Sequence, residues 1–130
     1  MKNKSHESLI QRAKEVAKQK ETSPLCIVGE VGSALITDKG NIYVGSSIGL
    51  ACGLGCCGEY SAITTMLTSG ESRIKTIVAV GSDGSILPPC GKCRELIFQI
   101  NKDNLNTNII TSGGKTKKLK QLLPDVWFKM

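Results

Sequence analysis

Two short stretches, Cys57-Gly58-Glu59 and Pro89-Cys90-Gly91-Lys92-Cys93, lie far apart along the chain, and only a fold that brings them together makes chemical sense of them. Three thiolates suit a zinc ion, which is usually tetrahedral and takes sulfur readily; three protein ligands leave the fourth position for water. An open position points to reaction chemistry beyond cross-linking. Glu59 follows the first cysteine by two residues, so it can stand beside that water and move protons without being a ligand, a hydrolytic arrangement.

The flanking sequence places both stretches at helix starts. Cys57, Ala62, Ile63, Met66 and Leu67 recur at helical spacing, with Gly70 as a stop. Pro88-Pro89 marks the start of a second helix whose apolar face is Leu96, Ile97 and Ile100, which puts Cys90 and Cys93 in its first turn. Each helix N-terminus carries partial positive charge and unsatisfied N–H groups that lower a thiol pKa and favour thiolates.

The other elements fit around these two helices. Leu9, Ala13, Val16 and Ala17 predict an amphipathic helix from Ser8 to about Lys20, and the chain breaks around Pro24. Val31–Ile36 and Ile42–Val44 read as a hairpin about the turn Thr37-Asp38-Lys39-Gly40-Asn41. Gly45 to Cys56, with glycines at 45, 49, 53 and 55, reads as a loop entering the site. Ile74–Val80 is a β-branched run of the kind found in a buried strand, ended by Gly81-Ser82-Asp83-Gly84. Asn108–Thr111 predicts a further strand, Gly113-Gly114 a turn, and Leu119–Leu123 a short helix before Pro124. The order predicts one α/β domain over residues 1–130, with a parallel portion in a mixed sheet and both cysteine-bearing helices starting at one edge of it.

Composition narrows the function. No apolar run approaches the roughly 18 residues of a membrane span, and the start, Met1-Lys2-Asn3-Lys4-Ser5-His6-Glu7, lacks the apolar segment of a secretory signal; the expectation is a soluble, cytoplasmic protein with no membrane partner. Six cysteines without an export signal, two of them spaced Cys-x-x-Cys, point to reduced, metal-binding thiols rather than disulfides. His6, the one histidine, lies in a polar segment and reads as a solvated surface residue. Serine triads, Cys-His proteases and His-Glu-x-x-His metalloproteases therefore lack their parts. A net charge of +6 attracts phosphate, but Tyr43, Tyr60, Phe98, Trp127 and Phe128 do not interleave with the basic residues as a base-stacking platform requires. The run Lys115-Thr116-Lys117-Lys118-Leu119-Lys120 reads as a solvated turn and helix start, and no nucleic-acid partner is expected.

Other readings of the cysteines stay open at this point. Cys52 or Cys56 as a fourth ligand would close a structural zinc site, and Cys90 with Cys93 alone would be a dithiol redox pair. Cys26, Cys52 and Cys56 otherwise read as small buried hydrophobes or bystander thiols. Glu59 alone would be a first-turn acid complementing the helix dipole. Lys92 and Arg94 are the nearby cations that could offset thiolate charge, the guanidinium by donating to sulfur.

A cysteine or histidine followed by x-Glu, then Pro-Cys-x-x-Cys, is the signature of zinc deaminases acting on nucleobases. The chain resembles the cytidine deaminase family, and within it is most similar to the blasticidin-S deaminase branch, through Val31-Gly32-Ser33-Ala34-Leu35, Cys57-Gly58-Glu59, Pro89-Cys90-Gly91-Lys92-Cys93-Arg94 and Leu122-Leu123-Pro124. The resemblance implies a three-layer α/β/α sandwich with a mixed β-sheet, one Zn2+ per chain on Cys57, Cys90 and Cys93, and Glu59 as the catalytic proton carrier. It implies hydrolysis of the C4 amine of the cytosine ring of a cytidine-like nucleoside or of blasticidin S, and a homotetramer whose subunits complete one another's pockets. Substrate contacts are implied at Gly58, through its N–H, at Ser33, and at Trp127, three residues beyond Leu-Leu-Pro and expected to reach a neighbour's pocket; the other reading of Trp127 is C-terminal core packing.

The chain departs from the family pattern at the substrate. Asn-x-Glu-Asn, which serves the ribose in typical cytidine deaminases, is here Ser47-Ile48-Gly49-Leu50. Cys-Ala-Glu-Arg is here Cys57-Gly58-Glu59-Tyr60, and the basic residue expected ahead of the Pro-Cys block is absent from Asp83-Gly84-Ser85. The alternatives are a zinc-stabilised binding or structural module without turnover and a polynucleotide-editing deaminase.

Overall fold

The structure, a computed structural model, describes residues 4–130; the first three residues of the polar start lie outside them. Helix α1 (Lys4–Val16) leads into strands β1 (Lys20–Ser23), β2 (Cys26–Thr37) and β3 (Ile42–Leu50). Helix α2 (Gly58–Thr68), strands β4 (Ile74–Gly81) and β5 (Ile86–Leu87) and helix α3 (Gly91–Ile100) follow. The chain ends with 3-10 turns at Lys102–Asn106 and Ser112–Gly114, strands β6 (Asn108–Ile110) and β7 (Thr116–Lys118), and helix α4 (Leu119–Leu122). None of the described helices is long and apolar enough to cross a membrane.

All seven strands form one sheet in which β2 and β4 are central. β2 pairs antiparallel with β1, β3 and β4. β4 pairs antiparallel with β5 and parallel with β6, and β7 closes that edge on β6. The sheet is therefore mixed, as expected. Successive side chains on a strand point to opposite faces, and the two cores follow that alternation. Ala34, Val78, Val80 and Ile110 meet Leu9 and Ala13 of α1 on one face. Leu35, Ile77 and Ile109 meet Ala62, Ile63 and Met66 of α2 and Ile97 and Phe98 of α3 on the other. These are the three layers, and they place α2 and α3 side by side.

Glycine decides several close approaches. A Cβ at Gly32 would lie 2.3 Å from the Ala13 carbonyl oxygen, so bare backbone lets α1 settle on β2. A Cβ at Gly45 would lie 2.3 Å from the Ala62 nitrogen, and here α2 rests directly on β3. This corrects the reading of residues 45–50 as loop: they continue β3 on an edge, where glycine is tolerated and helix contact requires it. Only residues 51–55 leave the strand, because Ile48 and Cys56 exchange both backbone hydrogen bonds, at 2.9 and 3.0 Å. The first helix ends at Val16 rather than near Lys20, and the chain turns into β1, every residue of which is exposed. Part of the basic run, Thr116–Lys118, is strand rather than turn. His6 is half-buried, not fully solvated.

Candidate active site

Cys57 caps α2 and Cys90 caps α3, both with extended backbone (ψ 157° and 171°), while Cys93 lies buried inside the first turn of α3. The two cysteine stretches meet because these helices start at the same end of the sheet face. Cys57 Sγ and Cys90 Sγ are 3.6 Å apart, and the three sulfurs all lie within 4.8 Å of one another. Two sulfurs on one tetrahedral zinc, each at about 2.3 Å, are separated by about 3.8 Å, so the spacing fits. Among the described residues no other group of ligand side chains clusters this way. Cys52 is exposed and neither it nor Cys56 joins the cluster, which disfavours a closed four-thiolate site.

The thiols differ in acidity. Burial and the Cys90 sulfur push Cys57 up. Burial, Glu59 and the other two sulfurs push Cys93 well above the ordinary thiol range. Burial acts the same way on Cys90, but the backbone N–H groups of Cys93 and Lys92 and the neighbouring sulfurs together bring it below its ordinary value. A cap residue facing orphan N–H donors is where a thiolate is best held.

Glu59 sits on the first turn of α2, 5% exposed, next to the sulfurs but outside their cluster. Burial raises its carboxyl above the usual carboxylate range, against a smaller lowering by its own backbone N–H. It therefore holds a proton more readily than a solvated glutamate, which suits a group that must take one and return it. Cys57, Glu59 and Cys90 open onto a cavity of about 450 Å³ that is also lined by Val31, Ile48, Ala79, Leu87 and Pro88, with Glu30, Ser47 and Lys92 as its other polar side chains.

The remaining expected site residues take different places. Gly58 is buried, and a Cβ on it would lie 3.1 Å from the Val31 carbonyl oxygen, so the start of α2 is pressed against β2. Ser33 is fully buried with its hydroxyl donating to the Val78 carbonyl at 2.8 Å; it ties β2 to β4 and is not one of the residues lining this cavity. Trp127 is 78% exposed, with its ring centroid 5.9 Å from that of Phe128, which sets aside core packing as its role. Arg94 does not donate to sulfur. Its guanidinium binds the Pro89 carbonyl at 2.8 Å and the Leu122 carbonyl at 3.1 Å, fixing the turn that carries Cys90. The Lys92 ammonium lies 4.9 Å over the Tyr60 ring, bridging the two helix starts. Glu30, which lines the cavity, is not among the residues expected from the sequence: the strand read there begins at Val31, and that Gly29 lies inside β2 with φ +80° shows only in the fold.

The model of the cytidine and deoxycytidylate deaminase zinc-binding region matches residues 3–108. A cytidine deaminase of Mycobacterium tuberculosis is 29% identical over 98 residues, covering 75% of this chain and 71% of the relative. The crystal structure of cytidine deaminase from Mycobacterium tuberculosis superposes with a TM-score of 0.77 at 25% identity, covering 95% of this chain and 97% of that one. Cytidine deaminase from Mycobacterium leprae gives a TM-score of 0.76 at 27% identity over 92% and 97% of the two chains.

Proposed function

Because the chain belongs to the family that carries the cytidine and deoxycytidylate deaminase zinc-binding region, we propose that it hydrolyses the exocyclic C4 amine of a cytosine nucleoside, leaving a uracil ring and ammonia. The observation that carries this reading is the convergence of Cys57, Cys90 and Cys93 beside a buried Glu59 on one cavity. The three sulfurs would hold zinc, which when bound supplies Lewis-acid activation of water. Glu59 accepts a proton from the water that adds at C4 and delivers it to ring N3. A second transfer through the same carboxyl protonates the exocyclic nitrogen, which departs as ammonia while the added oxygen remains as the ring carbonyl. The raised affinity of Glu59 for protons suits both directions of transfer. The Gly58 N–H, on the first turn of α2, faces the ring carbonyl in this reading.

Cytidine is the leading substrate, supported by the relatives' activity, and blasticidin S is the second candidate, supported by the Cys57-Gly58-Glu59-Tyr60 and Pro-Cys-Gly-Lys-Cys-Arg blocks. We also place Trp127 in the pocket of a neighbouring subunit in a homotetramer; its 78% exposure supports this.

An ultraviolet assay of the zinc-loaded protein with cytidine, deoxycytidine, cytosine and blasticidin S tests the proposal. At least one should be deaminated, and Glu59→Gln should keep zinc and fold while losing about a hundredfold or more in rate. Full zinc occupancy with every compound inert would sink the reading.

A further inference from the structure

We propose that Glu30 is a specificity-determining residue that accepts hydrogen bonds from the sugar of the substrate at the mouth of the cavity, so that the site selects a hydroxyl-rich, uncharged nucleoside over the bare base. The inference rests on the deaminase reading and names a residue outside the metal-binding motifs.

The β2 strand is interrupted where Glu30 stands. Its pairing with β3 skips from Val28 to Gly32, and Gly29 adopts φ +80°, a conformation that favours glycine. Such a bulge re-aims the side chains that follow it. Glu30 consequently lines the cavity although it lies in a strand otherwise committed to the sheet. Its backbone is held on both sides. The Glu30 carbonyl accepts from the Ser82 N–H at 2.9 Å, and the Val31 N–H donates to Ser47 Oγ at 2.9 Å. The rim carrying the carboxylate is therefore anchored to the turn after β4 and to β3.

The carboxylate lies beside β3, where a Cβ at Gly49 would stand 3.4 Å from Glu30 Oε1, at ordinary contact distance. Glu30 forms no ion pair among the described residues, where Arg12–Glu15 is the single such contact. The side chain remains exposed, and nothing described in the chain consumes its acceptor capacity.

The chemistry of the cavity then sorts ligands by their substituents. Its walls are mostly apolar, which suits a flat ring. The acidic side chains are Glu30 and Glu59, and the one lysine, Lys92, holds its ammonium over Tyr60. Glu59 belongs to the reacting end. Glu30, at the mouth beside Ser47, meets whatever the ring carries, and an ionised carboxylate accepts hydrogen bonds from hydroxyls while repelling a phosphate.

The products uridine and uracil isolate the sugar's contribution without turnover. Calorimetry on the zinc-loaded full chain should find that Glu30→Ala weakens uridine by about tenfold and uracil by less than about twofold, the loss of a charge-assisted hydrogen bond. Glu30→Gln, whose amide oxygen still accepts, should fall between wild type and Glu30→Ala for uridine. In turnover the loss should appear in KM for cytidine with kcat nearly unchanged. Equal weakening of uridine and uracil, or no change in either, overturns the role of Glu30 while leaving the deaminase reading intact. If the zinc-loaded wild-type protein deaminates cytosine or blasticidin S but neither deaminates cytidine nor binds uridine, this subsite falls alone; if all four compounds are inert, the deaminase reading falls and the subsite falls with it.

Discussion

Asn104 carries no charge and lies away from the cavity, yet it joins three parts of the chain. It is fully buried. Its amide nitrogen donates to the Ser72 and Ile97 carbonyls, both at 2.9 Å, and its oxygen accepts from the Ile74 N–H at 2.9 Å. One side chain thus caps the start of β4 and ties it to α3, the helix that carries Cys90 and Cys93. Replacing Asn104 with alanine leaves two carbonyls and one N–H without these partners, and each buried orphan costs about 1–3 kcal/mol. Allowing for water entry, Asn104→Ala should lower stability by roughly 3 kcal/mol in urea unfolding; a loss under about 1 kcal/mol would show that the network is dispensable. Nothing in the sequence marks this residue. Asn104 sits in the run Lys102-Asp103-Asn104-Leu105-Asn106, polar at four of five positions, and only the fold turns it inward. Cys57, Glu59, Cys90 and Cys93 were legible because their residue types are costly to place without a purpose and their spacing has a chemical meaning. Glu30 was not, because the strand read there begins at Val31 and the bulge at Gly29 shows only in the fold.

At the scale of elements, the legible parts were those with strong periodicity or a buried apolar run. β4 is buried at every position except Lys75, and a β-branched run announces that. α2 and α3 were announced by their caps and apolar faces. β1 and β7, four and three residues of exposed polar side chains or nearly so, carry no such pattern and exist because an edge accepts them. The second part of β3, residues 45–50, was hidden for the opposite reason, since its glycines look like flexibility but serve contact. Gly45 is the clearest case, because α2 sits on it and Cys57 heads α2. Gly45→Ala should therefore cost about 2–3 kcal/mol as an overpacked contact and should also loosen zinc, while Gly53→Ala, whose Cβ would meet open space, should do neither. Thermal melts together with zinc content after dialysis against a mild chelator would separate the two. Intact zinc retention in a destabilised Gly45→Ala protein would mean that the position of α2 does not set the site.

Across the whole molecule, the two cores divide the labour. The α1 face, built on Leu9, Ala13, Val78 and Ile110, has no part in the site. The other face carries both helix starts, and there α2 and α3 bring three sulfurs together with Glu59 at close range. Without metal, this end gathers three sulfurs whose burial is offset only by one another and, at Cys90, by the first N–H groups of α3, so it should be the first part of the fold to open. Zinc binds only where the three sulfurs are assembled, and it therefore stabilises the folded state by mass action, by about 4 kcal/mol at a concentration a thousand times its dissociation constant. The effect should also be local, because regions of a fold open separately when their contacts differ. Removing zinc with a chelator should lower the melting temperature. In hydrogen exchange it should cost protection in the first turns of α2 and α3 and at residues 51–57, while β4 and α1 keep theirs until global unfolding. Cys93→Ser, which removes the buried ligand, should make the melting temperature insensitive to chelator. A uniform loss of protection across both faces would instead mean that the metal supports the whole fold, and that the α1 face does not stand apart from the site.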